Sequence, residues 1–171
     1  MIVTIDFLAG QVLRPDDLLA LAVGYVTQSN PVSRTSTAIV ADSSIICPVD
    51  GPTEIRLSAR WTSLAGGMRW CWRSTGTVSL VSRDILSPGS TVSANSGTAW
   101  IRDIRLRQIA TIGEEQTVTH FDAATTQLIQ ERLIVTGVGE VVFQFAQATS
   151  NASATTLAGQ SYATVQKLRT L

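Results

Sequence analysis

Residues 127–147 read QLIQERLIVTGVGEVVFQFAQ, and this stretch gives the clearest indication of the fold. In its second half Val141, Phe143 and Phe145 occupy alternate positions, which is the pattern of a strand with one buried face. The intervening Gly137-Val138-Gly139 supplies the residue types that a tight turn needs. The stretch therefore predicts a β-hairpin of two long strands.

The same period of two continues along the chain from Thr35 onward, interrupted by clusters of Gly, Pro and Asn. It predicts strands at 37–41, 45–47, 54–61, 67–73, 78–81, 99–109, 116–121, 127–136, 140–147 and 161–167. Because no helical pattern lies between them, we predict one mainly β domain at 35–171, an antiparallel β-sandwich whose strand number fits a jelly roll best. Two small, polar intervals, 82–97 and 148–156, are predicted to be exposed loops.

The segment before this domain, 1–34, has a different pattern. Residues 1–13 predict an extended arm, and Pro15 followed by Asp16 and Asp17 favours the start of one α-helix at 15–28. This helix is apolar nearly all round, so it must be buried on several sides, and the segment has too little chain of its own to bury it. We therefore expect an anchoring or oligomer interface here, formed by Phe7, Leu13, Leu18, Leu19, Leu21, Val23, Tyr25 and Val26.

The charge composition argues against binding through bulk charge. Thirteen Lys and Arg residues balance thirteen Asp and Glu residues, and only 15% of the chain is charged. Such a chain lacks the field that draws proteins to nucleic acid, and Asp103 offsets the arginines at 102, 105 and 107. The apolar run at 18–26 is far shorter than the roughly 20 residues of a membrane span. We expect neither a nucleic-acid nor a membrane partner.

Residues that could carry catalysis are few and scattered. His120 is the only histidine, so a histidine triad or metal cluster has a single possible member. The acidic pairs at 16–17 and 114–115 are explained by a helix start and a solvated turn. No phosphate loop is present, and Cys47 and Cys71 lack zinc-ligand spacing. We expect no enzyme activity, cofactor or metal, although a glycosidase pair built from distant carboxylates stays open.

The segment Met68-Arg69-Trp70-Cys71-Trp72-Arg73 is the most distinctive local feature. Alternation places Trp70 and Trp72 on one face, where they either form a sandwich core or offer a platform on which sugars stack. The core is the favoured interpretation, and Trp61 and Trp100 are interpreted in the same way. Cys71, between the two tryptophans, is predicted to be a buried free thiol.

Two segments resemble proteins of tailed bacteriophages, especially phages of actinobacterial hosts. Residues 7–21, FLAGQVLRPDDLLAL, are similar to the opening of phage tail and fibre-type proteins, but Arg14 replaces a capping Thr and Leu19 replaces an Asn. Residues 131–147, ERLIVTGVGEVVFQFAQ, with 150–157 and 161–162, are similar to the C-terminal hairpin and last strand of phage minor tail and virion-surface proteins.

This resemblance implies a virion role, a β-sandwich and often a homotrimer. We expect a structural virion protein, made in the bacterial cytoplasm, whose N-terminal arm and helix anchor it to capsid, portal or tail subunits. Its β-domain would be displayed in a tail or fibre or would cement the capsid as a decoration. A receptor-binding tip that holds host glycan through the two loops is the alternative, and a depolymerase is the enzyme class that stays open.

Overall fold

A computed structural model describes residues 23–88, 104–118 and 126–168, and the regular structure within them is β-strand. The strands are β1 (Val23–Thr27), β2 (Val32–Arg34), β3 (Val40–Asp50), β4 (Thr53–Ser63), β5 (Met68–Ser74), β6 (Ser79–Pro88), β7 (Ile104–Gln108), β8 (Gln116–Val118), β9 (Gln127–Thr136), β10 (Val138–Gln147), β11 (Thr155–Leu157) and β12 (Tyr162–Lys167). The predicted mainly β class with antiparallel pairing is confirmed.

The strands form two sheets. The larger sheet has eight strands in the order β1-β12-β4-β9-β6-β7, and β11 and β2 extend it beside β4. The smaller sheet has four strands in the order β3-β10-β5-β8. Side chains from one face of each sheet join in a single buried cluster. We call these two faces the inner faces, and the opposite faces the outer faces.

Alternation along the strands builds the inner faces. In β9 the odd-numbered residues 127–135 are buried, and β4 follows the same rule. Trp61 of the larger sheet and Trp70 and Trp72 of the smaller sheet lie in the core, where Trp72 meets the Phe143 ring edge-on at a centroid distance of 5.2 Å. Burying one large apolar side chain contributes about 1.5–3 kcal/mol. The three tryptophans are thus core residues, as predicted, and not a sugar platform.

One end of the fold is closed by three connections that cross between the sheets. They join β3 to β4, β5 to β6, and β9 to β10 at Gly137. A Cβ added to Gly76 would lie 2.2 Å from the Val138 carbonyl oxygen, and one added to Gly137 would lie 2.4 Å from that of Thr77. The predicted hairpin is therefore wrong: β9 and β10 belong to different sheets, and backbone packs against backbone where they cross. We call this end the glycine end.

The first described residues form a strand where the sequence predicted the end of a helix. Val23–Thr27 is β1, which pairs with β12. The segment VGYVT is rich in β-branched and aromatic residues, which favour strands, and its glycine weakens a helix. β1 and β2 thus belong to the larger sheet, although the sequence assigned residues 23–34 to the anchor. Residues 1–22, with the predicted arm and most of the predicted helix, lie outside the described part.

The intervals predicted as loops at 82–97 and 148–156 are partly strands. β6 continues to Pro88, and its strand pattern is hidden because Arg83, a charged residue, occupies an inner-face position. β11 begins at Thr155 and pairs with β4 and β2. The strand predicted at 127–136 coincides with β9, and those predicted at 54–61 and 67–73 match β4 and β5 to within two residues.

Candidate functional site

An ion pair between Arg83 of β6 and Glu131 of β9 lies in the core. Both side chains are fully buried, and Arg83 Nη2 lies 3.0 Å from Glu131 Oε1. Trp70 Nε1 donates to the same oxygen at 2.7 Å, and Trp72 Nε1 donates to Glu131 Oε2. The larger sheet supplies both charges and the smaller sheet supplies both indoles. This buried cluster therefore connects the two inner faces by directional bonds.

The other terminal nitrogen of Arg83 holds the connection between β7 and β8. Arg83 Nη1 donates to the carbonyl oxygens of Ile112 at 3.1 Å and Glu114 at 2.8 Å. Both carboxylate oxygens and both terminal guanidinium nitrogens thus have partners, which is the condition under which a protein core tolerates an ion pair. The cluster is enclosed by protein, so it has the features of a structural centre and not of a ligand site.

Sequence analysis missed both charged residues of this buried cluster. The one signal available was position: Glu131 stands between Ile129 and Leu133 in a strand whose odd-numbered residues are apolar. Because side chains alternate between the two faces of a strand, this odd-numbered position predicts that the Glu131 side chain points inward. It does not identify the partner, because Arg83 is 48 residues away in the sequence.

A second charged cluster surrounds Glu54 on the outer face of the larger sheet. Arg56 Nη2 lies 2.9 Å from Glu54 Oε2, and Arg132 Nε donates to Glu54 Oε1. Arg132 Nη1 lies 3.8 Å from Asp84 Oδ2. Burial alone would raise the pKa of Glu54, but the hydrogen bonds and charges of Arg132 and Arg56 outweigh it and lower that pKa below its ordinary value. The four formal charges cancel.

Three residues of this outer cluster, Arg56, Asp84 and Arg132, form the floor of a groove in the outer face, and Glu54 lies beside it. The groove has a volume of about 550 Å³, which is within the range of about 300–1,000 Å³ that ligand pockets occupy. A smaller hollow of about 260 Å³, bounded by Tyr25 and Gln160, adjoins it at Tyr162. We call the two together the outer groove. Besides these three charged residues, its lining includes Ser58, Leu86, Leu106, Gln130, Tyr162 and Thr164.

β1 forms one edge of the larger sheet and carries three of the predicted interface residues. Val23 and Tyr25 are 40% and 70% exposed, whereas Val26 packs against the core. Among the described strands β1 is hydrogen-bonded only to β12, so it is an edge strand of the larger sheet with one side unpaired by them. The other predicted interface residues, Phe7, Leu13, Leu18, Leu19 and Leu21, lie outside the described part of the chain.

The two cysteines are free thiols on opposite faces of the smaller sheet. Cys47 of β3 lies in the core, whereas Cys71 of β5 lies on the outer face, with its Sγ 3.6 Å from Gln144 Oε1. Burial raises the pKa of Cys47 to about 12, and burial together with the charge of Glu115 raises the pKa of Cys71. The predicted buried free thiol at Cys71 is confirmed. Strand β10 separates the two cysteines.

The remaining residues considered for chemistry do not assemble into a site within the described ranges. No three His, Cys, Asp or Glu side chains there are placed to hold a metal ion. Glu115 lies 3.4 Å from Arg69 in an exposed ion pair, and His120, Asp16 and Asp17 lie outside these ranges. The described chain also contains no helix long and apolar enough to cross a membrane.

Comparisons with known proteins give little further information. No protein-family model matches the chain, and no curated protein matches it significantly. Among solved structures, the chain is similar to one from "Structure of infectious bursal disease virus Gt strain", with 10% sequence identity and a TM-score of 0.20. The match covers 85% of this chain and 40% of that one, so this chain spans less than half of its length. A similarity at this TM-score carries no argument about fold or function.

Proposed function

We propose that the chain is a non-enzymatic structural protein of a tailed-phage virion, attached through residues 1–22 and the open edge of β1. Its β-fold, which we take to be a jelly-roll-type sandwich, is displayed on the particle or cements neighbouring subunits. The partners are capsid, portal or tail subunits, together with sister copies in a homotrimer. The two segments that resemble phage proteins support this proposal. It is also supported by the polarity of the fold, by which we mean that residues 1–22 are joined to one end of it and the connections 89–103 and 119–125 to the other.

This polarity is the single observation that carries the proposal. β1 begins and β12 finishes at the glycine end, as their pairing with each other and with β4 requires. β6 and β8 finish at the opposite end, at Pro88 and Val118. Residues 1–22 are therefore joined to one end, and the connections 89–103 and 119–125 are joined to the other. A subunit that is anchored and displayed needs attachment and projection at opposite ends.

The β1 edge has the chemistry for such an attachment. An open strand edge is a template on which a strand of another chain can pair. Val23 and Tyr25 expose apolar area beside it, directly after the apolar run 18–22. A chain with few charges and no net charge is poorly suited to life as a free monomer and better suited to an assembly.

Incorporation into particles tests the proposal. A phage in which the gene is disrupted infects cells that express one of three proteins in trans. These proteins are the full chain, a variant that lacks residues 2–22, and the Val23→Lys variant. Leu64→Lys is the matched control, because Leu64 is exposed but lies in the turn after β4, away from β1. We expect the full chain and the control in purified virions, the deletion to be absent, and Val23→Lys to be reduced. Light scattering on the purified proteins should give a trimer for the full chain and a folded monomer for the deletion.

Normal incorporation of the deletion variant would contradict the proposed attachment. A full chain that is a stable monomer and absent from virions would contradict the virion role itself. Circular dichroism of each variant ensures that a missing subunit is not simply an unfolded one.

A further inference from the structure

The outer groove combines two kinds of surface that rarely lie together on a sheet face. Both tyrosines of the chain border it, and the two residues are 70% (Tyr25) and 40% (Tyr162) exposed. Thr27 is the register partner of Tyr162, and Tyr25 lies two residues before it, so the two tyrosines are diagonal neighbours on adjacent strands. Diagonal neighbours are about 7–8 Å apart. Consecutive rings of one extended ligand can therefore contact both.

Between the tyrosines and the β7 edge, the groove is lined by polar groups that both donate and accept hydrogen bonds. Ser58, Gln130 and Thr164 lie beside the Glu54–Arg132 cluster. The Glu54 and Asp84 carboxylates hold Arg132, so its guanidinium is oriented before any ligand arrives. Groups that are already fixed lose less conformational entropy on binding.

The charge balance of the groove indicates what it binds. The positive charges of Arg56 and Arg132 are balanced by Asp84, which lines the groove, and by Glu54, which is buried beside it and pairs with both arginines. A charged ligand would therefore meet no net opposite charge in the groove. The affinity of an uncharged ligand does not depend on such a net charge, so the balance does not weaken its binding. Such a ligand must offer hydroxyl groups to the charged floor and apolar faces to the tyrosine rings.

We propose that the outer groove binds an uncharged oligosaccharide. The C–H faces of its sugar rings lie on Tyr25 and Tyr162, and its hydroxyl groups bond with Arg132, Gln130 and Asp84. This inference does not depend on a virion role, and it places glycan on the sheet face and not in the two loops considered from the sequence. It gives the exposed ring of Tyr162 a function that the attachment at β1 leaves open.

A second copy of this chain is the competing occupant, since Leu106 at the far end of the groove is 75% exposed. A flat protein surface would have to remove water from Arg56, Arg132 and Asp84 at once, which is costly unless each finds a new partner. Sugar hydroxyl groups replace those water hydrogen bonds one for one. The chemistry of the floor therefore favours the glycan.

The test uses the purified full chain on an array of neutral and acidic bacterial oligosaccharides, followed by calorimetry with the best neutral glycan. Tyr162→Ala should weaken binding about tenfold or more, because it removes a stacking surface. Tyr162→Phe, which keeps the ring, should retain most of the affinity. Leu64→Ala, an exposed apolar change outside the groove, should leave it unchanged.

Several outcomes would overturn the proposal. One is that no neutral glycan on the array binds the protein, and another is that only acidic glycans bind it. A third is that the Tyr162→Ala variant is folded and binds the neutral glycan as tightly as the parent does. Concentration-dependent self-association that Tyr162→Ala abolishes would instead assign the groove to a second copy. The assay needs no virions, so its result is independent of the incorporation experiment.

Discussion

Glu131 and Arg132 are neighbours in β9, yet they belong to two ion pairs of very different character. Glu131 points to the inner face, where it meets Arg83 and two indoles with no exposure to solvent. Arg132 points to the outer face, where it is about half exposed and pairs with Glu54. The two pairs share residue types and a strand, and they differ in burial.

This difference decides what each pair does for the protein. In the core, a charge that loses its partner has no water to replace it, so the cost of breaking the pair is large. On the outer face, water and salt compensate most of the loss, so an exposed pair contributes little to stability. The inner pair therefore serves the fold, and the outer pair is free to serve the surface.

The largest effect is expected when one residue of the buried Arg83–Glu131 pair is replaced. Arg83→Met and Glu131→Gln should each lower the free energy of unfolding by about 3–5 kcal/mol, because each leaves an uncompensated buried charge. Urea unfolding followed by tryptophan fluorescence measures this, since Trp70 and Trp72 bond to Glu131 directly. The double variant Arg83→Met/Glu131→Gln should lose less than the sum of the single losses. Additive losses would show that the two residues act separately.

A smaller effect is expected from the outer pair, and it depends on pH. Glu54→Gln should cost about 0.5–1 kcal/mol near neutral pH, because its arginine partners are largely exposed. The folded-state pKa of Glu54 is lowered, so the stabilisation is complete above the unfolded-state value of about 4.3. It is lost as the pH falls through the lower folded-state value. Denaturant unfolding of parent and variant across this pH range should show their difference shrinking on acidification.

The control for this measurement is Glu140→Gln, which removes an exposed carboxylate outside the cluster. It should leave the free energy of unfolding nearly unchanged at each pH. An equal pH-dependent loss in both variants would mean that net charge, and not the Arg56–Glu54–Arg132 cluster, stabilises the fold. Raised salt should also reduce the Glu54→Gln effect far more than the Glu131→Gln effect.

The smallest expected effect extends the comparison to the thiols. Cys71, on an outer face and 7% exposed, should react with a thiol reagent through local opening, whereas Cys47 should react only on global unfolding. The raised pKa of each thiol keeps the reactive thiolate scarce, so both reactions should be slow at pH 8. Mass spectrometry of pulse-labelled Cys47→Ser and Cys71→Ser variants measures the two rates. Equal rates would show that the smaller sheet opens as one unit.

The parts of the fold that follow a simple period could be predicted from the sequence. β9 and the inward residues of β10 have regular apolar alternation, and the tryptophans of β5 follow the same rule. The buried residues of these strands then follow from the alternation alone, without knowledge of the partner strand.

The parts that depend on distant partners could not be predicted. Arg83 lies inside because Glu131 and three carbonyl groups pair with its two terminal nitrogens, and none of these partners is near it in the sequence. The apolar run ending in β1 suits a helix or a strand, and pairing with β12 decides the matter for Val23–Thr27. The outer groove arises from six strands side by side, so no single segment indicates it.

The pairing of β1 with β12 affects how this fold can be engineered and how recombination can transfer it. Val23 and Gln166 are partners in the register, so the places where the chain enters and leaves the described fold are about 5 Å apart. A unit with adjoining ends can be grafted into a surface loop of another protein without stretching either junction. It can also be circularly permuted, with new termini in the turn at 148–154. Recombination between genes could therefore move this fold as a cassette.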